Sequence, residues 1–290
     1  MADRPRFGPA GIPPVFTAMK LPLEEIPGFL RGEGLDAFEY EAIYWGGKPQ
    51  IKIQHAESLG FKAKENDVWI SMYGSYFINL CGEKKIVEAS KKRLIACVTA
   101  ADWMSAHVVV FHPGFYGGKS HEEARRNCLK ALKDVVQTVR SLGIRDVKIG
   151  PETMGKKSQF GSLDDILDMC NQVEQTQLVI DWPHVHARDG GFLRTVEDFR
   201  RVVMRVEDRL GSEATRDMHC HFTKIEFTAK GERRHHTLGD ERYGPDFEML
   251  AKTVIEFKLR PVLICESPLL DIDAMRMRDA IKEESERSNA

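Results

Sequence analysis

The segment MHCHF contains two histidines, His219 and His221, and a second pair, His235 and His236, follows shortly after it. Histidine binds metal ions and transfers protons. If the first segment is a β-strand, its two imidazoles share one face of the sheet. A single histidine at a strand end is more often a neutral, hydrogen-bonded imidazole than a metal ligand. The two histidine pairs therefore indicate a metal site only if other ligand types lie beside them.

Acidic and imidazole side chains also end several other apolar runs. The polar exceptions at or just beyond these ends are His112, Glu152, Asp181, His184, His219, Glu232, His235 and Glu266. Carboxylates and imidazoles gathered in one place would repel each other or stay unpaired unless a cation neutralised them. Mixed carboxylate and histidine ligands suit zinc, manganese or iron. The sequence therefore predicts a metal site, provided that the fold brings the run ends together.

The elements that must position these residues alternate between short apolar runs and long amphipathic ones. Eight candidate strands cover residues 5–11, 35–45, 67–74, 107–113, 146–152, 177–182, 216–222 and 260–267. Helical spacing of apolar residues is clearest at 121–143, which Gly143 should end, and around 84–104. This alternation predicts an α/β protein whose single domain, residues 1–290, is a (β/α)8 TIM barrel with a polar tail that frays from about 283. An open doubly wound sheet is the less favoured alternative, since no Gly-x-Gly-x-x-Gly follows the first strand.

Composition restricts the partners and the location of the protein. Its formal net charge of -2 and its 42% hydrophobic residues are ordinary and do not by themselves indicate a nucleic-acid partner. No apolar run approaches the roughly 20 residues of a membrane span, and the N-terminus lacks the apolar segment of a signal peptide. The six cysteines form no C-x-x-C pair, which predicts reduced thiols. We therefore expect a cytoplasmic monomer with no membrane partner.

Around the candidate ligands, the sequence resembles the endonuclease IV family of apurinic/apyrimidinic DNA repair enzymes, within the xylose isomerase-like TIM-barrel superfamily. The similar motifs run in order from about residue 67 to 268 and are GSYFINL (74–80), FHPG (111–114), ETMG (152–155), IDWPH (180–184), LRT (193–195), MH (218–219), HHTLG (235–239) and LICES (263–267). The resemblance implies a TIM barrel, a site of three zinc ions, and hydrolysis of the phosphodiester bond 5′ to an abasic site in DNA.

The resemblance also implies roles for individual residues. Glu152, Asp181, His219 and Glu266 match the ligands of one zinc, His184 and His235 match two ligands of a second, and His112 matches a ligand of a third that Glu152 would bridge. On this basis Glu152 and Glu266 are the expected catalytic residues, and His221 is a further candidate ligand. Tyr76 and Phe77 match residues that enter the DNA minor groove and help to flip out the damaged nucleotide.

Three departures from the family pattern affect the expected number of metal ions. Tyr73 stands where the family usually has a histidine ligand, and Arg233 stands where it has an aspartate ligand, although Glu232 could substitute if the loop shifts. The glutamate of the family's ENT pattern is offset by one residue, so that Glu152 lies within PET. We therefore expect two or three ions, mostly Zn²⁺, with Mn²⁺ and Fe²⁺ as alternatives.

Basic residues in the predicted mouth loops, among them Lys156, Lys157, Arg188 and Arg233, indicate phosphate contacts despite the near-neutral net charge. Together with these residues, the resemblance to endonuclease IV implies double-stranded DNA with abasic sites as the partner. Two alternatives stay open. One is a sugar isomerase or epimerase that uses the same barrel and the metal ligands around Glu152. The other is a metal-binding barrel that binds DNA with weak or no catalysis.

Overall fold

The computed structural model describes residues 4–288, and its central element is a ring of eight parallel strands. They are β1 (Arg6–Pro9), β2 (Ala37–Glu41), β3 (Trp69–Tyr73), β4 (Val108–Phe111), β5 (Lys148–Pro151), β6 (Val179–Asp181), β7 (His219–Phe222) and β8 (Val262–Cys265). Strands β2 to β5 pair in chain order, and β6, β7, β8 and β1 form a second paired run. Parallel bridges join Ala10 to Glu39 and Glu152 to Val179. These bridges close the two runs into a (β/α)8 barrel.

Helices connect the strands around the outside of the barrel. They are α1 (Pro14–Met19) and α2 (Ile26–Gly32) after β1, α3 (Ile53–Glu65), α4 (Lys84–Trp103), α5 (His121–Ser141) and α6 (Leu163–Gln172) after β2 to β5, α7 (Trp182–Arg188) and α8 (Val196–Arg216) after β6, α9 (Phe247–Glu256) after β7, and α10 (Asp271–Ser288) after β8. A short 3-10 turn, Leu23–Glu25, precedes α2. Within residues 4–288, no helix combines the length and the apolar character that a membrane span needs.

Helix α5 shows how local sequence sets these elements. The Ser120 side chain accepts a hydrogen bond from the Glu123 backbone N–H at 3.2 Å, which satisfies one of the free donors of the first turn. Apolar residues at helical spacing, such as Leu132 and Val139, are fully buried against the barrel. Gly143, with φ of +87°, lies just beyond the end of the helix, where a left-handed residue is favoured.

Two small β elements lie at the carboxyl ends of the barrel strands. The two-residue strands Gly114–Phe115 and Gln159–Phe160 pair as a short ribbon. A longer hairpin follows β7 and consists of Lys224–Thr228 and Gly231–His236. A bridge between Lys156 and Gly231 fastens this hairpin, which we call the β7 hairpin, to the loop after β5. The β7 hairpin therefore crosses part of the barrel mouth.

The barrel interior is unusually polar. Outside the barrel, the strands and helices share one large apolar core. Inside it, two small apolar clusters centre on Val108 and Val110 and on Val262 and Ile264. The remaining interior contains fully buried polar side chains, namely Glu39, Ser71, His219 and His221. Because β2 and β7 are not neighbours in the ring, contacts between Glu39 and the two histidines must cross the barrel axis.

The predicted barrel is confirmed, and each of the eight predicted strands contains one barrel strand. The predicted strands are longer than the observed ones because the predictions include loop residues at their ends. The β7 hairpin and the short ribbon were not predicted. We expected a frayed tail from about residue 283, whereas α10 continues to Ser288; residues 289 and 290 lie outside the described range.

Candidate metal centre

Four side chains at the mouth of the barrel form the first candidate metal group, which we call the mouth group. Glu152 follows β5, Asp181 ends β6, His221 lies in β7 and Glu266 follows β8, and one ligand atom from each lies within 4.8 Å of the others. Glu152, Asp181 and His221 are fully buried, and the Glu266 side chain is only 14% exposed. Successive strands thus deliver three carboxylates and one imidazole to one place.

Hydrogen bonding leaves part of the mouth group unsatisfied. His221 Nδ1 lies 2.8 Å from Glu152 Oε1 and 3.5 Å from Glu266 Oε1. Asp181 Oδ1 accepts the His184 backbone N–H at 2.5 Å, but its buried Oδ2 has no hydrogen-bond partner. Burial raises the pKa of Asp181 well above its usual range, and the charges of Glu266 and Glu152 add to this rise. An orphaned buried oxygen among crowded carboxylates fits a divalent cation.

Tyr73 links His112, a further expected ligand, to Glu152 of the mouth group. Its hydroxyl lies 2.5 Å from His112 Nε2 and 2.5 Å from Glu152 Oε2, while those two atoms are 3.1 Å apart. Burial first, and then the charges of Glu152 and Glu266, raise the pKa of the phenol well above its usual value. The phenol is therefore protonated, donates to Glu152 and accepts from His112. Burial alone would raise the pKa of Glu152, but the His221 and His112 imidazoles hold it well below its usual range.

His184 and the β7 hairpin form a second group of ligand types beside the mouth group. His184 Nδ1 donates to the Thr153 carbonyl at 2.9 Å, and its Nε2 lies 2.8 Å from Glu232 Oε2. Although burial opposes it, Asp181 and Glu232 raise the pKa of His184 well above its usual value. The His235 ring centroid lies 6.1 Å from that of His184. We call His184, Glu232 and His235 the hairpin group.

A bulge explains why Glu232 reaches this group. In the hairpin ladder Glu226 pairs with Arg234, whereas Phe227 pairs with Glu232, so Arg233 is the extra residue. An extra residue changes which side chains share a face, and Glu232 therefore turns toward the mouth. Burial would raise the pKa of Glu232, but His184 holds it well below its usual range. Arg233 instead points to solvent and contacts Glu226 at 2.6 Å.

His219 does not join the mouth group, and the expected grouping with Glu152, Asp181 and Glu266 needs correction. His221 occupies the place that we expected for His219. His219 is the first residue of β7, two positions earlier on the same face, which lowers it by about 6.6 Å along the strand. There it lies 3.3 Å from Glu39 and 3.1 Å from His107. The remaining expected ligands, His112, His184, His235 and Glu232, all lie around the mouth.

The residues that we expected to contact DNA differ in the solvent exposure of their side chains and in the contacts that these side chains already make. Tyr76 is 48% exposed and stacks on His112, with the ring centroids 5.8 Å apart; Phe77 is 58% exposed. Lys156 and Lys157 are exposed, and Lys156 also lies 3.3 Å from Glu232. The Arg188 guanidinium, by contrast, donates to the backbone carbonyls of residues 154, 156 and 159. Arg188 therefore holds the loop after β5 through Nη1, and none of these three bonds uses its Nη2 or Nε.

Glu39 is a buried ionisable residue of this region that the sequence analysis missed. Its carboxylate accepts the Ser71 hydroxyl at 2.8 Å and faces both His219 and His221. In the sequence, AFEYE looks like a strand with alternating solvent-facing glutamates, which hides the burial of Glu39. Glu39 and Ser71 are the middle residues of β2 and β3 and pair with each other in the sheet. Polar residues at the middle of two predicted strands were the signal of a buried polar contact.

Similarity to known proteins agrees with this fold. Residues 29–287 match the family described as xylose isomerase-like TIM barrel. An uncharacterized protein of Methanocaldococcus jannaschii is 30% identical over 278 residues, covering 96% of this chain and 97% of that protein. The chain belongs to the xylose isomerase-like TIM barrel family. A probable endonuclease 4 of Shouchella clausii is 27% identical over 255 residues, covering 83% of this chain and 84% of that protein.

Solved structures whose names give different activities superpose on the chain about equally well. Endonuclease IV from Thermus thermophilus superposes with a TM-score of 0.64 at 19% identity, covering 90% of this chain and 96% of that one. The 3-keto-D-glucoside 4-epimerase YcjR from E. coli superposes with a TM-score of 0.67 at 14% identity, covering 97% and 99%. At these identities the superpositions establish the fold alone. The fold is thus shared with an endonuclease and with a sugar epimerase, and it does not by itself distinguish the two activities.

Proposed function

We propose that this protein is a metal-dependent phosphodiesterase that cleaves duplex DNA 5′ to abasic sites. The hairpin group is the observation that carries this proposal. It lies against the mouth group, with His184 Nδ1 3.9 Å from Glu152 Oε1 and His235 Nδ1 3.7 Å from Glu266 Oε2. Two adjoining ligand sets suit a site with several metal ions, whereas a sugar isomerase with one metal would need only the mouth group.

The roles of the residues follow from this arrangement. Glu152, Asp181, His221 and Glu266 would hold one divalent cation, and His184, Glu232 and His235 would hold another. Zinc suits these carboxylate and imidazole ligands best, with Mn²⁺ and Fe²⁺ as alternatives. When bound, such ions activate water near neutral pH and neutralise the charge of a phosphodiester. Glu152 and Glu266 are the mouth-group residues that face the hairpin group, and for this reason we assign them the central catalytic positions.

The rim of the mouth supports a DNA substrate. The exposed rings of Tyr76 and Phe77 lie in the loop after β3, and Tyr76 stacks directly on His112. A ring in this position can fill the gap that a flipped abasic nucleotide leaves in the duplex. Lys156 and Lys157 are exposed in the loop after β5, two strands further around the barrel, where they can contact phosphates. Both contacts are proposals for the bound state.

We also propose that the protein acts as a monomer in the cytoplasm. All six cysteines are free, and five of them are buried. Free thiols are typical of a reducing compartment. Size-exclusion chromatography with light scattering tests the oligomeric state.

A sugar isomerase or epimerase is the second candidate, because the mouth group alone can hold the single metal that such chemistry uses. One experiment separates the candidates. Zinc-loaded protein is incubated with duplex DNA carrying one abasic site and, separately, with a panel of ketoses and aldoses. The proposal expects incision of the duplex and unchanged sugars. Sugar conversion without incision would replace it with the second candidate, and binding of the duplex without incision would indicate a catalytically silent DNA-binding barrel. The matched inactive control is Glu266→Gln.

A further inference from the structure

Below the mouth group, the centre of the barrel contains a second set of possible ligands, of which the proposed function uses only His221. It consists of Glu39 from β2 and of His219 and His221 from β7, all fully buried. One ligand atom from each of the three lies within 4.8 Å of the others. We call these residues the inner group. His221 belongs to both groups, since its Nδ1 faces Glu152 and its Nε2 faces Glu39.

A row of hydrogen-bonding groups that ends at the inner group is one proton short when both of its histidines are neutral. His107 Nδ1 lies 2.8 Å from the Ile70 carbonyl, His107 Nε2 lies 3.1 Å from His219 Nδ1, and His219 Nε2 lies 3.3 Å from Glu39 Oε2. Each of these three contacts needs one proton to be a hydrogen bond, but two neutral imidazoles carry only two N–H protons between them. Burial favours the neutral form of both rings.

The positions of these two protons are fixed from one end of the row. A carbonyl oxygen can only accept, so His107 must donate from Nδ1 and accept at Nε2. His219 must then donate from Nδ1, which leaves a bare lone pair on its Nε2. That lone pair faces the Glu39 carboxylate, which already accepts the Ser71 hydroxyl at 2.8 Å. Two acceptors in contact, both buried, are unfavourable unless a cation lies between them.

Two more unsatisfied atoms point into the same space. Glu39 Oε1 and His221 Nε2 lie 3.0 Å apart, but both are buried without a hydrogen-bond partner. Neighbouring ligands of a tetrahedral zinc ion, at bond lengths of ~2.0–2.2 Å, are about 3.3–3.6 Å apart. The observed separations of 3.0 Å and 3.3 Å are close to this range. An ion could enter between these atoms with little movement of the side chains.

We propose that Glu39, His219 and His221 bind one divalent cation of the zinc class inside the barrel, as a site separate from the mouth. The two imidazole nitrogens and one carboxylate oxygen supply three ligand atoms, and a buried water or the second oxygen of Glu39 completes the coordination of a zinc ion. The His219 N–H that points to His107 is the outer hydrogen bond that a metal-bound histidine usually makes. The inner ion has no exposed position for a substrate, so it stabilises the barrel and fixes the orientation of His221.

This site shares His221 with the mouth group, and its test does not use DNA. With ions in both sites, His221 must lose its ring proton and bind as an imidazolate, through Nδ1 at the mouth and Nε2 at the inner site. Zinc-loaded wild-type crystals are measured by anomalous diffraction at the zinc absorption edge. The proposal expects a peak between Glu39, His219 and His221, in addition to any peak at the mouth. Peaks at the mouth with none between these three residues would overturn it and would show that a proton supplies the missing charge.

Variants provide a second measurement in solution. Metal content per chain is determined by elemental analysis after dialysis of zinc-loaded protein against zinc-free buffer. Glu39→Gln and His219→Gln should each lose one ion relative to the wild type. The control Ser71→Ala removes a hydrogen bond to Glu39 but no ligand, and should keep that ion. Circular dichroism identifies any variant that fails to fold, in which case the other variant and the anomalous map decide. Folded Glu39→Gln and His219→Gln proteins with wild-type metal content would refute the inner site.

Discussion

The hydroxyl of Tyr73 lies 2.5 Å from Nε2 of His112, and the same hydroxyl lies 2.5 Å from Glu152. In the endonuclease IV family, which this sequence resembles, a metal ion would connect the residues at the positions of His112 and Glu152. Here a phenol connects them. A phenol with a raised pKa is a poor zinc ligand, whereas a neutral imidazole binds zinc readily. An ion at His112 would keep only two protein ligands, so it should be the weakest of the mouth ions.

Tyr73→His should therefore raise zinc uptake by one ion per chain. Zinc titration calorimetry and elemental analysis of the wild type and the variant check this outcome. The matched control is Tyr73→Phe, which removes the hydroxyl without adding a ligand and should not gain an ion. If the wild type already holds an ion tightly at His112 and Tyr73→His gains none, another ligand serves that position.

Glu266→Gln should lower kcat/KM on abasic duplex by on the order of 100-fold or more. The change removes one negative ligand from the mouth group, and the loss of even an outer partner of a metal ligand costs ~10–100-fold. The barrel should stay folded because Glu266 lies at the mouth, beyond the end of β8. Glu248→Gln, the same chemical change at an exposed position of α9, should leave kcat/KM unchanged. Wild-type activity and metal content in Glu266→Gln would refute the assignment of Glu266.

Gly155→Ala should weaken metal binding at the hairpin group. A Cβ at residue 155 would lie 2.3 Å from Glu232 Oε2 and 2.9 Å from His184 Cδ2, so the carboxylate must move away from the imidazole. We expect calorimetry to show that one zinc ion binds with reduced affinity. Cleavage should be roughly 10-fold slower, as is typical when the surroundings of a metal ligand are disturbed. Gly32→Ala in α2, where a Cβ would meet nothing within 4 Å, is the control and should bind zinc like the wild type. Unchanged zinc affinity in Gly155→Ala would exclude Glu232 as a ligand.

Tyr76→Ala should weaken binding to abasic duplex by about 10-fold, the scale of one aromatic–base stacking contact. Metal content should not change, because the Tyr76 ring stacks on His112 but supplies no ligand atom to the mouth group. Fluorescence anisotropy at one fixed salt concentration measures the affinity. Phe61→Ala removes an exposed ring from α3, outside the mouth, and should bind normally. An affinity equal to that of the wild type would assign Tyr76 to packing alone.

The sequence predicts the barrel and most of the mouth because both depend on local pattern. Strand and helix periodicities are local, and the residue after each strand of a parallel barrel must reach the same mouth. The choice between His219 and His221 could not be made in this way. Both face inward, and only the three-dimensional stagger of the strands decides which one reaches the level of Glu152.

Two other features depend on long-range geometry for the same reason. Glu232 reaches His184 only because a bulge places one extra residue, Arg233, in the hairpin. Arg188, which we expected to contact phosphate, also binds three backbone carbonyls of the loop after β5 through its Nη1. Neither contact has a signature within a few residues along the chain.

Incision of an abasic duplex tests the central claim most directly. An end-labelled duplex with one abasic site is treated with zinc-loaded protein, with chelator-stripped protein, and with stripped protein to which zinc is restored. The account predicts incision on the 5′ side of the site that leaves a 3′ end which a DNA polymerase can extend, absent after stripping and recovered with zinc. No incision by folded, zinc-loaded protein, or incision that leaves a blocked 3′ end regardless of metal, would contradict the account.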